Sequence, residues 1–151
     1  MDQIDRQLVQ ALAENARTSL QQLSQKVFLS SPAVAARVER LEDEGVITGY
    51  HAAVNPARLG YQITAFIRLA VPPERRKEFA AFLKESPQVL ECYHISGDYS
   101  MLMKSCFVGT TELDHFVERA QKIGKTETQL VFSSVMQPRE FPSDIAVDQK
   151  K

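Results

Sequence analysis

A chain of 151 residues, 44% apolar and 25% charged, suits one ordinary domain or two small ones. No apolar run approaches the length of a bilayer span, and the acidic opening Met1-Asp2-Gln3-Ile4-Asp5 does not read as a signal peptide, so a cytoplasmic, nucleoid-associated protein with no membrane partner is expected. A formal net charge of −1 gives no bulk attraction to phosphate, so any nucleic-acid reading must rest on where the cations lie.

The first third has helical periodicity. Ile4, Leu8, Ala11 and Leu12 form one apolar stripe. Ser19 is placed to cap a second helix with the stripe Leu20, Leu23 and Val27. Ser30 or Ser31 caps a third, which runs to Asp43 and carries Pro32 in its first turn, where a missing N–H costs nothing. Its buried stripe is Val34, Val38 and Leu41, and Gly45 stops it. Residues 46–54 then suggest a short ribbon, a wing turning near Thr48-Gly49.

Two short helices, a tight turn and a third helix with cations on its outer face make a helix-turn-helix pattern. Ala33, Ala36, Arg37 and Arg40 face outward. Ser30 and Ser31 offer hydroxyls and backbone N–H groups to phosphate, Arg37 and Arg40 can reach base edges or phosphates, and Arg17 and Lys26 lie where flanking phosphates would be. Glu42, Asp43 and Glu44 are set apart at the far end of the helix. The competing reading is that Arg37 and Arg40 merely solvate one face of a core helix.

Asn55-Pro56 and Gly60 mark a joint. The expected organisation is a DNA-binding domain over 1–54, a linker over 55–60, a second domain over 61–137 for oligomerisation and effector binding, and a polar tail over 138–151. The second domain reads as a strand over 62–71, a helix over 74–86, strands over 89–95 and 101–107, a helix with the stripe Leu113, Phe116, Val117, Ala120 and Ile123, and a strand over 126–136. The order βαββαβ predicts a ferredoxin-like sandwich with both helices on one face, so the fold class is α+β, a winged helix-turn-helix followed by that sandwich. Both faces of the strands carry apolar residues, so the uncovered face should find a partner surface, most simply a second copy. A dimer would supply two reading helices for a two-fold site. The loop Ser96-Gly97-Asp98-Tyr99-Ser100 reads as hairpin-turn chemistry.

Cys92 and Cys106 lack any C-x-x-C spacing and are expected to be buried reduced thiols in the sheet. His51, His94 and His115 are scattered, and no nucleophile–base pair, phosphate-cradling loop or metal cluster is visible. No enzyme, metal or cofactor is expected.

In order and spacing these segments resemble the Lrp/AsnC, or feast/famine, family of regulators from about Ile4 to Met136. The resemblance lies in Asp2-Gln3-Ile4-Asp5-Arg6-Gln7-Leu8, in Asn15-Ala16-Arg17-Thr18-Ser19, in Leu29-Ser30-Ser31-Pro32 through Arg37-Val38-Glu39-Arg40-Leu41-Glu42, and in Asn55-Pro56 with Leu59-Gly60. It implies a transcriptional regulator that binds double-stranded DNA. It also implies a dimer assembling to an octamer or higher oligomer, and a small effector such as an amino acid held near Gly97, Asp98, Tyr99 and Ser100. The chain departs from the family where Ser100 replaces a common aspartate and where Gln121-Lys122 stand for the usual Pro-Gly before the last strand. Ala36 replaces a common arginine. Phe28 replaces a frequent glycine, which suggests a different turn conformation. Two alternatives stand beside this reading: an architectural protein wrapping DNA with little sequence preference, and an amino-acid sensor that does not bind DNA.

Overall fold

The computed structural model describes residues 1–136; the polar tail expected over 138–151 lies outside the described residues. Two compact units are present, Met1–Ala53 and Val54–Val135.

The first unit is three helices: α1 (Gln3–Glu14), α2 (Leu20–Val27) and α3 (Ser31–Asp43). Each start is set by a cap. Asp2 and Asp5 exchange side-chain-to-backbone hydrogen bonds at the head of α1, and Ser19 and Gln22 do the same for α2. Ser30 caps α3 ahead of Pro32. The stripes meet as expected: Leu8, Ala11 and Leu12 pack with Leu23, Val27 and Val34. Phe28 ends α2 in the left-handed region, at φ 55 and ψ 41. The turn therefore takes the conformation glycine favours, not a different one, and carries an aromatic side chain there.

The expected wing ribbon does not form; residues 46–54 contain no strand. The N–H groups of Val46 and Ile47 both return to the carbonyl of Leu41, at 2.9 and 3.0 Å. The Tyr50 hydroxyl donates to Glu42 at 2.7 Å. With those groups turned back onto the end of α3, they are not offered to a neighbouring strand. The linker is also more ordered than expected, because Asn55 caps a 3-10 turn over Pro56–Leu59 that closes at Gly60.

The second unit is β1 (Ile63–Leu69), a 3-10 turn over Pro73–Arg75, α4 (Arg76–Lys84), β2 (Val89–His94), β3 (Met101–Phe107), α5 (Thr110–Gln121) and β4 (Thr126–Leu130). The sheet order is β2-β3-β1-β4, antiparallel throughout. Alternation sends Ala65, Ile67 and Leu69 of β1 and Met103 and Phe107 of β3 to one face, where Phe79, Phe82, Phe116, Ala120 and Ile123 cover them. Phe116 sits between Phe82 and Phe107, with ring centroids 5.1 and 5.3 Å away.

Four further details differ from expectation. The strand expected over 126–136 stops at Leu130, leaving Phe132 and Val135 outside it, each 98% exposed. The outward sheet face is apolar only at its centre, around Phe66 and Leu102, because the pairs Arg68–Glu127 and Lys104–Glu91 cross it. Cys106 is buried, but Cys92 is exposed; both are free thiols. The start of β4 does have a glycine, Gly124, three residues beyond Gln121. A Cβ there would lie 1.9 Å from the Ala70 carbonyl oxygen.

Candidate nucleic-acid interface and effector cavity

α3 exposes Pro32, Ala33, Ala36 and Arg40 and half-buries Ser31 and Arg37. Its polar groups are largely engaged within the unit. Ser30 Oγ accepts from the Ala33 N–H at 3.4 Å, and Ser31 Oγ lies 3.4 Å from Ser24 Oγ. Arg37 Nη1 donates to Asp2 Oδ2 and Asp5 Oδ1, both at 2.7 Å, and Arg40 Nη2 donates to Asp5 Oδ2 at 2.7 Å. Asp5 is only 1% exposed.

This clamp joins the head of α1 to the middle of α3. Burial works to raise the Asp5 carboxyl, but the Asp2 backbone N–H and the two guanidinium groups outweigh it and hold Asp5 below its ordinary value. Asp2 is lowered to about 2, first by the Asp5 backbone N–H and then by Arg37. Arg37 is raised in turn by Asp2 and Asp5. The free outward cations expected of these two arginines are therefore paired ones. Arg37 still has Nε and Nη2 unused in these bonds, a pair that matches the two acceptors of a guanine edge.

The other expected contacts lie at the edges. Arg17 is exposed between α1 and α2, and only its backbone N–H is tied, to Asn15 Oδ1 at 3.0 Å. Lys26, in the last turn of α2, makes a loose exposed pair with Glu14 at 3.9 Å. Sequence reasoning missed Asp2 and Asp5 as parts of this surface. The signal was available in an aspartate falling within the apolar stripe of α1 between Ile4 and Leu8.

In the second unit, Gly97, Asp98 and Tyr99 line a cavity of about 320 Å³ together with Ile95, Ser96, Arg68 and Glu127. That is the lower end of the range for small-ligand sites. Gly97 takes φ 104, which lets the loop turn tightly. The Arg68 guanidinium bonds to Glu127 and lies 5.0 Å from the Tyr99 ring centroid, while Lys125 Nζ is 5.8 Å from the same ring. Arg68 holds Glu127 below the ordinary carboxylate range. The Nε of Arg68 is buried with no hydrogen-bond partner.

Ser100 does not join this lining. Its Oγ accepts from the Val71 N–H at 3.0 Å and lies 3.4 Å from the Val71 carbonyl, while its own carbonyl accepts from Ile95 at 2.9 Å. The loop has already closed at Ser100, and its hydroxyl ties β3 to the end of β1. Arg68 and Glu127 were missed in the sequence, although a lone arginine within the apolar run of β1 was a signal. Their pairing depends on the Arg68↔Glu127 register, which no local pattern reveals.

A trihelical unit of helix-turn-helix type followed by a split βαββαβ unit with a loop-lined cavity defines the architecture of a two-module DNA-binding regulator. The sequence profile of winged helix-turn-helix DNA-binding domains matches residues 1–48, and that of the Lrp/AsnC ligand-binding domain matches residues 64–141. The chain belongs to the Lrp/AsnC family of DNA-binding transcriptional regulators. It is 39% identical to the uncharacterised HTH-type transcriptional regulator YezC of Bacillus subtilis, over 89% of this chain and 95% of that protein. Two solved structures are similar in fold and sequence. The leucine response regulatory protein of Mycobacterium tuberculosis has a TM-score of 0.84 and 30% identity, over 93% of this chain and 99% of that one. A transcriptional regulator of Neisseria meningitidis in complex with L-methionine has a TM-score of 0.86 and 27% identity, over 95% and 97%.

Proposed function

We propose that this regulator reads DNA through α3 and is modulated by a free amino acid held in the Arg68–Asp98 cavity. The observation that carries the effector assignment is the charge layout of that cavity. Asp98 offers a carboxylate to an α-ammonium group, and the Arg68 guanidinium beside it offers positive charge to an α-carboxylate. The L-methionine bound by the similar Neisseria protein supports the same ligand class.

On the DNA side, Arg37 presents its free guanidinium edge to a base. Ser30, Ser31, Ala33 and Arg40 line the approach of α3, and Arg17 and Lys26 hold flanking phosphates. A second domain over 61–137 serves oligomerisation as well as effector binding, with 1–54 as the DNA-binding domain. The exposed Phe132 and Val135 and the apolar centre of the sheet around Phe66 support a homodimer, with higher assembly to an octamer built on it. The protein works in the cytoplasm on nucleoid DNA and has no catalytic step.

Titration calorimetry with the twenty amino acids, followed by DNA binding with and without the best of them, tests this reading. One amino acid should bind and shift DNA affinity. No heat from any amino acid would reject the effector assignment, and equal binding to all DNA sequences across a salt series would favour an architectural role.

A further inference from the structure

Phe28 is the only non-glycine residue with positive φ among the described residues, and its side chain is 92% exposed. A left-handed backbone is disfavoured for a bulky side chain, and an aromatic ring left in water gains nothing from burial. Glycine would avoid both costs at this position. The ring sits in the turn of the helix-turn-helix, two residues ahead of the Ser30 cap of α3 and four ahead of Pro32.

Beside it most of the polar groups of the reading surface are engaged within the unit, the outer edge of Arg37 excepted. Ser30 caps its own helix, Ser31 lies against Ser24, and Arg37 and Arg40 are bonded to Asp2 and Asp5. The exposed positions that follow, Pro32, Ala33 and Ala36, carry no hydrogen-bonding side chain. Recognition helices contact base edges with their N-terminal residues, and the one apolar group on a major-groove base edge is the thymine C5-methyl.

We propose that Phe28 is a specificity-determining residue of this regulator, whose ring contacts a thymine methyl at the edge of the major groove. The inference rests on α3 being the reading helix. It adds a hydrophobic contact from the turn, with no hydrogen bond, so the choice at that position is thymine against any base that lacks the methyl.

The test uses the full-length protein and a duplex that it selects from a random pool. Wild type and Phe28→Gly are then titrated against that duplex and against versions in which each thymine in turn is replaced by deoxyuridine, which removes only the methyl. Wild type should lose about threefold to fivefold at one symmetry-related position, the scale of one buried methyl. Phe28→Gly should bind the parent duplex more weakly by at least that factor and be indifferent to deoxyuridine there. Its melting temperature should not fall, because glycine suits the left-handed turn. Equal affinity of Phe28→Gly and wild type, an unchanged deoxyuridine penalty in the variant, or a drop in melting temperature would each overturn the assignment. Failure of wild type to enrich any sequence would overturn the reading-helix assignment as well.

Discussion

Nη1 of Arg37 donates to Oδ1 of Asp5 across 2.7 Å, and the carboxylate it meets is buried at the head of α1. The two residues are 32 positions apart, so this bond fixes α3 against α1. The second oxygen of Asp5 is taken by Arg40, and its backbone N–H is taken by Asp2. Removing the carboxylate leaves Arg37 with Asp2 alone, Arg40 with only its looser pair to Glu44, and one helix cap half dismantled. Asp5→Ala should destabilise the first unit by about 2 kcal/mol, in the range for charge-assisted hydrogen bonds lost at a partly buried site. Chemical denaturation monitored by helical circular dichroism checks this. If instead Arg37 and Arg40 only solvate the helix face, Asp5→Ala will unfold at the wild-type denaturant concentration.

The same cluster should make this unit acid-sensitive. Asp2 is lowered to about 2 and Asp5 is also lowered. Groups with depressed folded pKa values contribute stability that is complete above the unfolded value, near 4, and is lost as the pH falls through the folded value. Wild type should therefore exceed Asp5→Asn in stability by a constant margin from pH 7 to about pH 5. The margin should shrink progressively as the pH falls below about 4, as protonation does to Asp5 what the substitution has already done. Denaturation of both proteins across that pH range reads it directly. A margin independent of pH would mean that the carboxylate is not ionised in the folded state.

Much of the fold was legible because its signals are local. Ser19 and Ser30 sit one residue ahead of their helices, and alternation along Ile63–Leu69 names the buried face without reference to any other strand. The misses share a different cause. Val46 and Ile47 have strand-like side chains, but their N–H groups go to Leu41, a choice made by the end of the helix and not by β propensity. Arg37 looked like a free cation because Asp5 lies in another helix, and Arg68 was passed over because Glu127 lies in another strand. Ser100 was grouped with Gly97, Asp98 and Tyr99 by the family resemblance, whereas its hydroxyl is spent on Val71.

Gly124 offers a sharp test of close approach. Its backbone runs against the Ala70 carbonyl, and the neighbouring Lys125 carbonyl accepts from the Ala70 N–H at 2.9 Å, so the two chains cannot separate without losing that bond. A methyl placed 1.9 Å from a backbone oxygen must displace the start of β4. Gly124→Ala should cost about 3 kcal/mol, the upper part of the usual overpacking range. The loss should appear in the second unit, because β4 leads away from this point and carries Glu127 against Arg68. Thermal unfolding with amide exchange resolved by segment would show it. Wild-type protection of β4 in Gly124→Ala would contradict the packing described.

Arg68 and Ser100 should separate cleanly into a ligand role and a structural one. Arg68 lines the cavity, so Arg68→Met keeps much of the length of the side chain and removes the guanidinium. Amino-acid affinity should fall at least about tenfold, the loss of one charge-assisted hydrogen bond. Ser100 faces the Val71 backbone instead, so Ser100→Ala removes a tie worth about 1 kcal/mol of stability and leaves the cavity intact. Calorimetric titration with L-methionine and with whichever amino acid binds best should give wild-type affinity for Ser100→Ala and weak binding for Arg68→Met. The opposite pattern would place the ligand on the β3 side of the loop, against Val71. Equal losses in both would mean that the cavity depends on the closure of the loop by Ser100 as much as on the charge of Arg68.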